Sequence, residues 1–348
     1  MSNKRILWVD WVKFLAIFGV IGIHVCSHFL NPDTLFSFTW YQAVILESTF
    51  RFAIVLFIMA SGFLLLRKEQ SINVIPRRIK RVILPFIFWL IIYAIIKAVI
   101  KGQLGPTWTP LDLISFIIGG FINPMGISVQ FWYVYMIMGL YLLSPLLSRW
   151  VQHAPIAEIE YIIIIWVLIS LVNFFGAKML LVDYLRYFTG AVGYFILGYY
   201  LTVKNSPLLE NKRFGIILFI IGSLITIIGT IGLSIITNTQ SLFFIRLGDI
   251  TPGACLQAVG LFIVLSNINF NNIKPSINNF IVKISKDSYG IYLVNILVVN
   301  IFNKLHLMGG GRLTALVIII NIVMVLLVSD VIVTIMSKIK FLAMFSGR

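Results

Sequence analysis

Apolar residues along the 348-residue chain gather into ten blocks of spanning length, near 6–29, 44–66, 82–100, 130–148, 159–176, 187–203, 214–236, 250–267, 286–303 and 313–337. A hydrocarbon core of about 30 Å takes about 20 residues of helix, so each block predicts one transmembrane helix. The expected fold is all-α and polytopic, about ten helices in one bundle. A shorter apolar piece, Leu111 to Phe121, cannot cross and predicts an interfacial or re-entrant segment. Gly-rich 308–311 signals a turn between the last two spans. With no soluble domain, internal repeat or low-complexity tail, residues 1–348 read as a single transmembrane domain.

The first block departs from uniform apolarity: it carries Asp10, Lys13, His24 and His28. At about 100° per residue these four fall within one helical stripe about 60° wide, opposite a face of Trp, Val, Phe, Leu and Ile. An ionisable group at bilayer depth costs on the order of 3 kcal/mol on insertion scales, so such groups face protein or a wet cavity and mark functional sites. His24 lies about 16 Å above Lys13 on the same face. A neutral imidazole there suits a general base acting on a hydroxyl, or a structural polar seam between helices. Asp10 and Lys13, one turn apart, are spaced to pair. His24 and His28 have the i, i+4 spacing of a metal pair without an evident third ligand, so no metal site is expected.

Composition agrees with the pattern. Hydrophobic residues make up 60% and charged residues 11%, with a mean hydropathy of +1.01, more apolar sequence than a soluble core needs. Lys4 and Arg5 mimic the basic start of a signal peptide, but Asp10 and Lys13 interrupt the apolar stretch and no small-x-small cleavage site follows. Cys26 and Cys255 stand alone in separate spans, which supports neither a disulfide framework nor a CxxC site. The net charge of +15 is explained by loop orientation and not by nucleic acid. With the N-terminus inside, 18 Lys and Arg fall in inner segments and 7 in outer ones, which predicts both termini in the cytoplasm.

Three further constellations stand out. Glu47 and Arg51 lie four residues apart on one helical face: an intramembrane ion pair, or a guanidinium placed to hold a carbonyl or oxyanion. Ser61 and Gly62 follow, small residues suited to close helix packing. Arg77, Arg78 and Arg81 precede the third span, either as an ordinary positive-inside anchor or as a seat for donor phosphates. Trp132, Tyr133 and Tyr135 open the fourth span as an aromatic belt or a sugar platform. Arg246, Asp249, Asp287, Tyr289 and Asn295 are polar positions without an assigned place.

At these residues the chain resembles the acyltransferase family 3 integral membrane proteins, and in layout the bacterial O-acetyltransferases of the enterobacterial common antigen type. Lys13 and His24 match the family's basic-x10-His. Arg51 with Ser61-Gly62-Phe63 matches its second-span Arg followed by Ser-Gly-Phe/Tyr, and Arg78 with Arg81 its Arg-x-x-Arg. FWYVYMIMGLYLLSPLL resembles its Trp-containing span ending in Ser-Pro-Leu-Leu, and DSYGIYLVN its Ser-x-Gly-Ile-Tyr-Leu-x-His. Asn295 stands where the family has its last His, and Gln130 where a His often precedes the span-4 Trp; both keep hydrogen bonding but cannot titrate.

The resemblance implies acyl transfer, with acetyl-CoA as donor substrate and no cofactor, to a hydroxyl of a cell-surface or lipid-linked saccharide in a bacterial inner membrane. It implies His24 as base, Arg51 on the oxyanion, and Asp10 and Lys13 ordering the inner path. Arg77, Arg78 and Arg81 would take the CoA phosphates, and Trp132, Tyr133, Tyr135, Glu47 and Asn295 the acceptor. Membrane lipids surround it. The alternative is a glycan or small-solute exporter, which inverted repeats and broken helices would favour; the sequence displays neither.

Overall fold

The computed structural model describes residues 5–100, 102, 104–105, 107–175, 190–241, 244 and 251–348. Lys4, Lys101, Lys178, Arg186, Arg246 and Asp249 lie outside the described residues. The main helices are α1 Leu7–Cys26, α2 Phe38–Thr49, α3 Phe52–Leu66, α4 Ile75–Ile95, α5 Pro110–Ile122, α6 Trp132–His153, α7 Ile156–Phe175, α8 Ala191–Val203, α9 Lys212–Thr237, α10 Pro252–Ser266, α11 Pro275–Lys304 and α12 Thr314–Lys338. Each of the ten expected blocks contains helix.

Among the described residues, seven helical passages are long and apolar enough to cross a membrane. Three expected spans differ. The described parts of α8 and α10 have 13 and 15 residues, about 20 and 22 Å at 1.5 Å per residue, short of a full hydrocarbon core. The ninth block belongs to α11, whose 30 residues dilute the apolar run with Asp287, Asn295, Asn300 and Asn303. The short 111–121 piece is helix α5, too short to cross and exposing Leu111, Ile114, Ile118 and Ile122. Thr109 caps it reciprocally with Asp112, and the Thr109 hydrogen bonds hold the Asp112 carboxyl below its ordinary value.

α1 is the central element. It packs against α2, α3, α10, α11 and α12, and 67% of its apolar window is buried against 17% for α7 and 22% for α9. Its outward aromatics are all packed: Trp8 against Phe63 and Phe262, Trp11 on Phe270 with its indole N–H donated to Asn278 Oδ1 (3.1 Å). Two glycines let the second passage come close. A Cβ on Gly19 would stand 2.9 Å from that of Ala53, and one on Gly22 would run into the Phe50 ring. α1 ends at Cys26 and residues 27–29 tighten into a 3₁₀ turn. His28 therefore leaves the polar stripe, and its ring meets Phe29 edge-on.

The expected second span is longer than 44–66, running from Phe38 to Leu66, and it is broken at Phe50–Arg51. Phe50 N–H reaches both the Leu46 and Glu47 carbonyls (3.1 Å each), a 3₁₀-like tightening. The Ser48 carbonyl, which an unbroken helix would bond to Phe52, accepts instead from Gln257 Nε2 of α10 (2.8 Å). Below the break, Gly62 of α3 lies on the Phe195 carbonyl of α8 and Gly198 of α8 on the Met59 carbonyl. The packing role read for Gly62 is the one it has.

Candidate active site

Four helices turn one face each toward a common cavity of about 540 Å³: α1 with Asp10 and Lys13, α3 with Phe57, Ser61 and Leu64, α6 with Tyr133, Ile137 and Tyr141, α11 with Ser285, Ser288, Tyr289 and Tyr292. The i, i+3/i+4 spacing in each set is the helical repeat of one face. Arg67, Arg81, Lys286, Gly347 and Arg348 stand on the rim with Arg5. Six cations thus share the cavity with a single carboxylate, Asp10.

That carboxylate is fully occupied. Arg5 Nε donates to Asp10 Oδ2 (2.7 Å) and Nη2 to Oδ1 (2.6 Å), a fork-on-carboxylate pair, while Ser285 Oγ donates to Oδ1 (2.6 Å). Asp10 does not pair with Lys13, because Arg5 reaches over the first turn of α1 and saturates it. Lys13 makes no ion pair or hydrogen bond among the described residues. Arg67 lies over the Phe63 ring at 5.7 Å with its Nε unbonded. A net excess of cations in a concave, partly desolvated site is the electrostatics of an anion seat.

Further along α1, His24 lines a second, much smaller cavity of about 10 Å³ with Val20, Ile54, Gln130, Trp132 and Tyr292, room for about one water. Tyr292 lines both cavities and forms the wall between them. Its hydroxyl donates to the Gln130 carbonyl (2.6 Å) and its ring lies 5.0 Å from that of Tyr133. The Gln130 side chain is held by the Ser128 hydroxyl and by the Leu293 carbonyl (3.4 Å). Tyr93 inserts into α11 here: its hydroxyl donates to Leu293 O (3.1 Å) and accepts from Leu297 N (2.8 Å), replacing one helical bond. On the second passage, Arg51 and Glu47 form a buried ion pair. Arg51 Nε and Glu47 Oε2 remain unbonded.

The structure brings Asp10, Lys13, Arg81 and Tyr133 together in the large cavity, and His24 with Trp132 in the small one. Others separate. Arg77 is exposed; Arg78, one turn before Arg81, is tied to Gln70 Oε1 (2.5 Å) and Ser144 Oγ (3.3 Å) off the cavity. Tyr135 points away and donates to the Phe121 carbonyl (2.7 Å), fastening α5. Asn295 is buried and folds back on its own helix, bonding the Ile291 (3.2 Å) and Tyr292 (2.6 Å) carbonyls; a short amide without a nearby partner satisfies local backbone. Lining residues without an assigned role in the sequence reading are Arg67, Lys286, Arg348, Tyr141 and Tyr292, together with Tyr289. For Lys286, Tyr289 and Tyr292 the available signal was their three-residue period along α11; Arg67 and Arg348 lie outside α6 and α11 and carried none.

A multi-helix membrane bundle with a cationic cavity and a histidine on the same buried helix defines the class. Residues 6–334 match the family model described as an acyltransferase domain, and the chain belongs to acyltransferase family 3. Membrane acyl transfer in general is thereby supported. No curated protein and no solved structure matches the chain.

Proposed function

We propose that this protein is a membrane O-acetyltransferase of a bacterial inner membrane, moving acetyl from acetyl-CoA to a hydroxyl of a cell-surface or lipid-linked saccharide, as in the enterobacterial common antigen type. The observation that carries this reading is the placement of an anion-seating cavity and His24 on one face of α1, with Tyr292 lining both cavities. The 18-to-7 distribution of basic residues supports a cytoplasmic position for the cationic end.

CoA phosphates sit among Arg81 and the other rim cations, and the pantetheine arm covers the roughly 16 Å from Lys13 to His24. The small cavity admits no acetyl group while Tyr292 is in place, so the Tyr292–Tyr133 wall moves aside during turnover. His24 then takes the acceptor hydroxyl proton as the oxygen attacks the thioester carbonyl carbon. Arg51, through its free Nε, steadies the oxyanion. Collapse breaks the C–S bond, and the departing thiolate recovers the proton from the imidazolium. Trp132 beside His24 offers a stacking face to the sugar.

The test is labelled acetyl-CoA with purified protein in proteoliposomes carrying the host's glycan lipid. Wild type is expected to label the acceptor and His24→Ala to fail while remaining in the membrane; equal transfer by both refutes the role of His24. Label held on wild-type protein and lost in His24→Ala marks an acyl-enzyme instead of direct transfer.

The break at Phe50–Arg51 favours a second reading, since discontinuous helices are what transporters use at their binding sites. Glycan efflux without added acetyl-CoA would establish the exporter and dismiss the enzyme.

A further inference from the structure

The segment after α12 does not leave the bundle. Residues 339–348 fold back along α4 and α11, with Phe345 stacked on Phe88 (5.0 Å between centroids, 15° between planes). The Ser346 carbonyl lies on Gly290, where a Cβ would collide with it, and Gly347 takes φ +73 against the same glycine. This close approach is why Gly290 has no side chain and Gly347 needs a left-handed backbone. The outcome is that Gly347 and Arg348 line the cationic cavity.

Arg348 is aimed as well as delivered. Its Nε lies 2.9 Å from Asp287 Oδ1, and its Nη1 donates to Ser337 Oγ (3.0 Å). Asp287 is buried and held in turn by Lys283 (3.4 Å), which is clamped between both Asp330 oxygens (2.5 Å) and Thr334 Oγ1 (2.9 Å). The guanidinium is thus positioned by a charge contact to the buried Asp287 and a hydrogen bond to the half-buried Ser337, from α11 and α12. Its Nη2 has no hydrogen-bond partner among the described residues, and the side chain is 39% exposed. A half-exposed cation on a cavity lining, anchored on one side by a buried carboxylate, suits an anion receptor.

We propose that residues 339–348 form a wall of the donor cavity and that Arg348 contacts a phosphate of the donor, with Asp287 as its positioning residue. This rests on the reading of the cavity as a CoA seat. Arg348 differs from Arg77 and Arg78 in lining the cavity, and from Arg5, whose Nε and Nη2 both go to Asp10, in meeting its carboxylate through Nε.

The experiment measures CoA binding by calorimetry, with no chemistry required, in nanodiscs of phosphatidylcholine alone. Arg348→Gln is expected to weaken CoA binding about five- to tenfold, a charged hydrogen bond discounted for partial exposure. Arg348→Lys keeps part of it, and the exposed Arg213→Gln on α9 changes nothing. Gly290→Ala leaves every charge in place but displaces the Ser346–Gly347 segment, and it is expected to weaken binding comparably. Unfolding profiles confirm that each variant is folded. If Arg348→Gln and Gly290→Ala both bind CoA as wild type does, the proposal fails while the CoA reading stands. If wild type binds no CoA, both fall. Competition by added phosphatidylglycerol would reassign Arg348 to a lipid headgroup and overturn the proposal.

Discussion

Tyr292→Phe removes one oxygen from the wall between the two cavities and leaves the ring in place. In the closed arrangement the Tyr292 hydroxyl donates to the Gln130 carbonyl at 2.6 Å, and Tyr292 is 3% exposed. A hydrogen bond of this kind is worth about 1 kcal/mol net, with an upper range near 3 when a buried acceptor is left bare. Opening the wall breaks the bond in wild type but costs nothing of that kind in the variant. If wall movement limits turnover, kcat for acetyl transfer is expected to rise about fivefold, since about 1.4 kcal/mol corresponds to a factor of ten. Stability should fall by about the same 1 kcal/mol, and KM for acetyl-CoA should hold, because the cations lining the large cavity are untouched. Steady-state kinetics in proteoliposomes, with thermal unfolding in the same detergent, measure both. A kcat lowered tenfold or more at unchanged stability would refute the reasoning: the hydroxyl would then belong to the chemistry and not to the wall.

Glu47→Gln strips the buried partner from Arg51 and is expected to cost about 3–5 kcal/mol. The double variant Glu47→Leu/Arg51→Met should recover much of that stability. Activity recovered along with it would show that the pair is structural and that Arg51 has no part on the oxyanion. Gly62→Ala drives a methyl into the Phe195 carbonyl, and about 1–3 kcal/mol of destabilisation should lower the unfolding temperature without altering KM; an unchanged temperature would mean that α3 and α8 are not held at this crossing. Tyr135→Phe frees the Phe121 carbonyl and is expected to leave saccharide affinity intact while making the α5 segment more susceptible to protease. A selective loss of acceptor affinity would return Tyr135 to the sugar platform.

The sequence by itself determined that the chain is a helical membrane bundle, because blocks of about 20 apolar residues have no other stable home. It also determined which helix to watch. Charges on α1 are costly enough in a bilayer that their 100° periodicity already placed Asp10, Lys13 and His24 on one face, and α11 with its Ser285 and Tyr292 meets that face. Only the tertiary structure decided partners. Arg5 takes Asp10 from Lys13 because side-chain reach and approach angle are three-dimensional, and the Asn295 nitrogen is taken by the Ile291 and Tyr292 carbonyls of its own helix. The break at Phe50–Arg51 depends on Gln257, 200 residues away, so no local signal could announce it. The cationic cavity is likewise a joint product of four helix faces and the returning 339–348 segment, elements that meet only once the bundle has packed.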